Sequence, residues 1–309
     1  MSLNQHTIKL HNDGREFTTL SNLPLSAIDA QNFDRVIILI HGFPDSNKTF
    51  NKIWPLLLSH FKEKILLIAP TLRGYETSNI GPEEEYMLPY LAGDVKAWIH
   101  EVNPQLDKPV HLVAHDWGAM VAFKTASMYP ELITSMVTLS IPYLINISVW
   151  EMLWYAPEQY YLSSYFITMS FPWLYRPKLT ESNDYLTKLW KYTSPGLDVS
   201  QDEINEIRER FKNDAIVDGA TSYYRHVLRP YSFWKSRWPV DFNKVPTLIV
   251  CGEDDGSMSP KLALLEQQKL KKYYPNAQVK ILPKVGHFIQ REVPELVTGL
   301  ITDFLDSYR

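Results

Sequence analysis

Residues 110–119 read Val-His-Leu-Val-Ala-His-Asp-Trp-Gly-Ala, a short apolar run that ends in an aspartate with Ala114 two positions before it and Gly118 two after it. An apolar strand, a small residue, a nucleophile and a glycine at this spacing form a nucleophile elbow, a sharp strand-to-helix turn that lifts one side chain above a sheet. Asp116 holds the lifted position, where a serine would make an acyl enzyme. A carboxylate instead attacks an electrophilic sp3 carbon and becomes half of an ester itself, which points to epoxides or alkyl halides. Gly118 lets the helix opened by Trp117 come close to the strand. The competing reading is that Asp116 only caps that helix, since aspartate is favoured at N-caps and complements the helix dipole.

An ester formed on a carboxylate has to be broken by activated water. Of nine histidines, His287 in the run Val-Gly-His-Phe-Ile-Gln is the best base, because it follows the last strand-like segment. Its ring needs a carboxylate on the other nitrogen, and the turn Cys251-Gly252-Glu253-Asp254-Asp255-Gly256 offers three. Asp255 is favoured, with Asp254 and Glu253 left open, because an acidic turn is commonly only a solvated cluster. His41-Gly42-Phe43-Pro44 follows another strand, and the backbone N–H groups of Phe43 and Trp117 are the candidate oxyanion donors. His41, Pro44, His115, Tyr143 and Phe288 are expected to line the substrate pocket.

These residues need a scaffold. Apolar or β-branched runs at 35–40, 65–69, 110–114, 133–140, 247–251 and 278–282 alternate with helix-length amphipathic stretches at 47–60, 88–102, 117–129, 261–274 and 295–308, the pattern of a mostly parallel sheet covered on both faces. An antiparallel opening is expected from 7–10 and 16–20, joined by Asn12-Asp13-Gly14. From about Tyr143 to Pro239 the strand rhythm stops and Trp, Tyr and Pro become dense. Helices are expected there at 149–155, 159–169, 182–191, 201–212 and 215–228, as a lid over the carboxyl ends of the strands, where α/β sheets place ligands.

At 309 residues, with 45% hydrophobic and 21% charged, the chain is long enough for one α/β domain with an insertion and is not a disordered composition. A net charge of −4 argues against a nucleic-acid footprint. The one cysteine, Cys251, lies in an apolar run and reads as buried filler, which fits a reducing compartment. Neither end of the sequence shows a targeting signal, so a cytoplasmic location is expected. The uncharged stretch 159–175 is too short and too broken for a membrane span.

Taken together, HGFP at 41–44, HDWG at 115–118, GEDD at 252–255, GHF at 286–288 and SYYRH at 222–226 resemble the α/β-hydrolase superfamily, and within it the epoxide hydrolases, across nearly the whole chain. The resemblance implies an α/β-hydrolase fold: an eight-stranded, mostly parallel sheet with helices on both faces, a core of residues 1–142 and 240–309, and a helical cap of 143–239. It implies hydrolysis of an apolar epoxide to a vicinal diol. It also implies two lid tyrosines that hydrogen-bond the epoxide oxygen, mapped to Tyr224, before Arg225, and to Tyr161, four residues before Tyr165. Tyr155, Tyr160 and Tyr165 compete for the first place among eighteen tyrosines. No cofactor or metal is implied. The partners are a small apolar epoxide and water, with a homodimer as the candidate assembly and neither nucleic acid nor a membrane span. Ala114 and Glu76 stand where the family commonly has glycine. A haloalkane-type dehalogenase using the same aspartate is the alternative activity, and a non-catalytic binding protein of the same fold is a second.

Overall fold

Five apolar runs of this sequence become strands buried along their whole length: β3 (Arg35–Ile40), β4 (Ile65–Pro70), β5 (Val110–His115), β6 (Ser135–Leu139) and β7 (Thr247–Gly252). Continuous apolar runs, rather than alternating ones, belong to parallel strands covered on both faces. A computed structural model describes residues 5–61, 63–181 and 184–308. Its sheet has eight strands, because β1 (His6–Asn12) and β2 (Arg15–Ser21) add an antiparallel hairpin at one edge and β8 (Ala277–Leu282) closes the other. The hairpin turns at Asp13 and Gly14, both at positive φ, a combination that matches the twist of paired strands.

Strand order is β1-β2-β4-β3-β5-β6-β7-β8. Sequence order therefore runs outward from β3 to β4 and then jumps back across β3 to β5. The carboxyl ends of β3 and β5 are parallel neighbours whose connections leave in opposite directions, which opens a crevice between them. The HGFP loop after β3 and the elbow after β5 both lie at that crevice. One large apolar layer packs on one face of the sheet, around Trp98, Phe123 and Val95, and a second on the other, around Trp54, Leu57 and Ile301.

Element boundaries differ from the expected ones where local chemistry intervenes. The stretch 47–60 is a short 3-10 turn, Asn47–Phe50, followed by a helix at Trp54–His60. Pro55 has no N–H to donate and restarts the helix at its own first turn. Strand β6 is shorter than 133–140, because Ile133 and Thr134 close the preceding turn and Ser140 takes positive φ (74°). Short helices at Leu25–Asp29 and Pro230–Ser236 were not anticipated.

Between β6 and β7 the described residues form no strand. Helices run at Val149–Tyr155, Glu158–Leu162, Tyr165–Ser170, Pro172–Arg176, Tyr185–Thr193, Gln201–Phe211 and Asp214–Leu228. The expected helix 159–169 is two pieces separated at Ser163 and Ser164, and the expected start at Ser182 lies outside the described residues. The Asp214–Leu228 helix is fastened to the core. Tyr223 donates to the Arg73 carbonyl at 2.5 Å, and Arg225 pairs with both oxygens of Glu83 at 2.8 and 3.0 Å. Gly219 packs directly on Gly74, which itself needs positive φ (87°). Arg73 is in turn buried against Asp94, at 2.5 and 2.8 Å.

Candidate active site

Asp116 sits at φ 52°, ψ −121°, a conformation rare for a non-glycine residue and the mark of a strained elbow. Its side chain makes no capping bond to the Trp117–Met128 helix, so the capping alternative fails. Instead Oδ1 accepts the Phe43 N–H at 2.7 Å, and Oδ2 lies 3.4 Å from His287 Nε2. This needs two close approaches. A Cβ at Gly118 would run into the Ile40 carbonyl, and one at Gly42 would run into the Asp116 carboxylate itself.

His287 stands between two carboxylates. Its Nδ1 is 2.8 Å from Asp255 Oδ2, while Glu253 and Asp254 of the same turn are exposed, so the geometry selects Asp255 from the three. Asp255 Oδ1 accepts the N–H groups of Ser257 at 2.7 Å and Met258 at 3.1 Å, together with the Ser257 hydroxyl at 2.7 Å. Burial by itself would push the imidazole down, but Asp255 alongside and the hydrogen bonds to Asp116 and Asp255 raise it to about 10. The two aspartates on either side of the ring thus favour its charged form. Backbone bonds fix it: the His287 N–H donates to the Thr193 carbonyl at 2.9 Å, and its carbonyl accepts from Ser140 Oγ and from His115 Nε2 at 3.0 Å.

Three residues expected in the pocket are elsewhere. His115 lies under the histidine loop, its ring 4.9 Å from that of His287, and burial lowers it to about 3, so it stays neutral and props the loop. His41 is fully buried behind the HGFP turn, where Nε2 accepts the Leu72 N–H at 3.0 Å and burial lowers the ring to about 3. Tyr143 turns into the core between Phe123 and Phe242, with its hydroxyl accepting the Val240 N–H at 2.7 Å. All three are chain neighbours of the site whose side chains follow the pleat or the turn inward. Pro44 and Phe288 do line the cavity.

That cavity has a volume of about 220 Å³, and its wall includes Asp116, His287, Ser257, Phe43, Leu162, Leu189, Tyr165 and Tyr224. Tyr224 is buried, edge-on to Phe43 at 5.3 Å and to Trp117 at 4.9 Å. Burial, Tyr165 and Asp116 all push the Tyr224 phenol well up. Tyr161, expected as its companion, touches the cavity only at the rim with 74% of its surface exposed. The break at Ser163 and Ser164 turns Tyr165 inward in its place. The Tyr165 ring is 5.7 Å from that of Tyr224. Burial, Asp116 and Asp255 push the Tyr165 phenol well up too. The spacing pattern had offered Tyr165 only as a competitor. Ser257 belongs to no motif, and only the folding of its loop against Asp255 and His287 brings it into the site. The Trp117 N–H begins the elbow helix and is one of the donors that a helix leaves without an intrahelical acceptor.

A parallel sheet with a strained elbow aspartate, a histidine after the last strand and an acid after the one before it defines an α/β hydrolase. Residues 35–294 match the family described as alpha/beta hydrolase fold, and the chain belongs to that family. Within it the chain resembles epoxide hydrolases. It is 28% identical to human Epoxide hydrolase 4 over 281 residues, 87% of this chain and 72% of that protein. It is 26% identical to Epoxide hydrolase 2 of Caenorhabditis elegans over 97% of this chain and 82% of that one. It is also 28% identical to the AB hydrolase superfamily protein YfhM of Bacillus subtilis, over 88% and 90%. Among solved structures, epoxide hydrolase I of potato superposes with a TM-score of 0.76 at 21% identity, covering 98% of this chain and 100% of that one, a likeness of fold. Among the described residues no helix is long and apolar enough to cross a membrane.

Proposed function

We propose that the protein is an epoxide hydrolase that converts a compact apolar epoxide to a vicinal diol through an ester on Asp116. The observation that carries this reading is a single cavity wall holding an elbow carboxylate, a histidine paired with a second carboxylate, and two phenols. Asp116 Oδ2 attacks a ring carbon as the carbon–oxygen bond breaks, and Oδ1 stays against the Phe43 N–H. Tyr165 and Tyr224 hold the departing oxygen and supply its proton, because a neutral phenol can stabilise or protonate an alkoxide. Esterification removes the Asp116 charge that helped hold the His287 proton, and that proton makes good the one taken from the phenols.

The neutral imidazole then takes a proton from water, whose oxygen attacks the ester carbonyl. Negative charge develops on Oδ1 facing the Phe43 and Trp117 N–H groups, an arrangement in which losing one donor typically costs about 100- to 1000-fold. Collapse returns the carboxylate, releases the diol and leaves the proton on His287, restoring the resting state. In this reading residues 143–239 are the lid over a core of 1–142 and 240–309, and Tyr161 serves only at the entrance. A dehalogenase, whose leaving group is a halide that needs no proton, would have no use for the two phenols in the cavity wall. A binding protein would have no use for the paired His287 and Asp255.

The test is a His287→Gln variant treated with styrene oxide. Mass spectrometry of its peptides should find the substrate's mass added at Asp116, and the wild type should release styrene diol. No adduct and no diol, or halide release from alkyl bromides without diol formation from epoxides, would overturn the reading.

A further inference from the structure

The loop after β7 carries one side chain that touches both members of the acid–histidine pair. Ser257 is buried in the cavity wall, its Oγ 2.7 Å from Asp255 Oδ1 and 2.9 Å from His287 Nδ1. Asp255 Oδ2 approaches the same Nδ1 at 2.8 Å. Counting hydrogens assigns every bond in this ring. A carboxylate can only accept, so the single hydroxyl hydrogen of Ser257 goes to Oδ1. The oxygen lone pair is then left to face Nδ1, whose hydrogen it shares with Oδ2. Hydroxyl, carboxylate and imidazole thus close one cycle with a hydrogen fixed on Nδ1. The backbone contributes as well, since the N–H of Ser257 also donates to Oδ1 at 2.7 Å.

We propose that Ser257 is a positioning residue for the hydrolytic half of the reaction, holding the Asp255 carboxylate and the His287 ring in the orientation that leaves Nε2 open to the attacking water. The inference rests on the two-step reading above. Ester formation takes the His287 proton only after the epoxide carbon–oxygen bond has broken, so its rate should not depend on the aim of the ring. Ester breakdown does. Without the hydroxyl, Oδ1 keeps only its backbone donors and Nδ1 keeps one acceptor, so Asp255 Oδ2 alone holds that side of the ring and the ring turns more freely within its slot. A side chain that merely filled space would affect both halves alike, because packing serves both.

The experiment compares wild type, Ser257→Ala and Ser257→Thr with styrene oxide by rapid quench and intact-mass detection of the alkylated enzyme. Melting temperatures of all three are recorded alongside. In Ser257→Ala, ester decay is expected to slow about 10-fold, the loss typical of one hydrogen bond to a charged group, while ester formation stays within about threefold. The alkylated form should then dominate at steady state. Ser257→Thr, which keeps a hydroxyl, should recover most of the decay rate. The proposal is overturned if formation and decay fall together in Ser257→Ala, if decay is unchanged, or if a folded Ser257→Thr is as slow as the alanine variant. An ester with a normal lifetime in Ser257→Ala removes only the role of Ser257. Failure to find any ester, in the wild type or in His287→Gln, removes the two-step reading and this inference with it.

Discussion

Replacing Tyr165 with phenylalanine isolates one hydroxyl with little change in packing. Its ring lies 5.0 Å from Phe166 and 5.7 Å from Tyr224, contacts that a phenyl group keeps. In the proposed reaction, what disappears is one hydrogen bond to an oxygen that becomes charged as the epoxide opens. Such bonds are worth about 1.5–3 kcal/mol, and about 1.4 kcal/mol is tenfold in rate. Ester formation in Tyr165→Phe should therefore slow by about 10- to 150-fold, with a melting temperature close to that of the wild type. Tyr224→Phe should fall in the same range. Tyr161→Phe, at a site 74% exposed, should stay within about twofold. Stopped-flow or rapid-quench measurement of the alkylation step distinguishes the three. Should Tyr161→Phe slow alkylation more than Tyr165→Phe does, the placement of the oxygen-binding pair would be refuted.

Two further outcomes follow from the same geometry. His287 is raised from 6.5 to about 10 in the folded chain. A raised folded value means that its charged pairing stabilises the fold fully below pH 6.5 and is lost as pH rises from 6.5 through about 10. The melting-temperature gap between wild type and His287→Gln should therefore shrink across that window. In Gly219→Ala, the new Cβ would lie 2.8 Å from the Gly74 Cα, a backbone atom that cannot step aside. Overpacking of this kind costs about 1–3 kcal/mol, measurable by urea denaturation, and displacement of the helix bearing Tyr224 should also slow alkylation.

Local chemistry explains what could be read from the chain beforehand. Asp116 and His287 were legible because an elbow and a post-strand histidine are set by a few adjacent residues. The parallel sheet was legible because β3 to β7 are unbroken apolar runs. Asp255 could be ranked but not singled out, because burial separates it from Asp254 and Glu253 and a run of acids does not reveal burial. Tyr161, expected at the first lid position, lies exposed at the rim, and its competitor Tyr165, four residues on, lines the cavity. The aromatic stretch has no clean period, and the interruption at Ser163 and Ser164 resets which face points inward. His41, His115 and Tyr143 were assigned to the pocket by adjacency in sequence, although successive side chains of a strand or tight turn face opposite ways.

The covalent step itself is open to direct measurement through oxygen. A single turnover with enzyme in excess, run in water enriched in oxygen-18, should give diol free of label, because the added oxygen comes from Asp116, and the label should appear in the Asp116 carboxylate. Label in the diol of that first turnover, with none in the enzyme, would mean that water attacks the epoxide directly and that Asp116 is not the nucleophile.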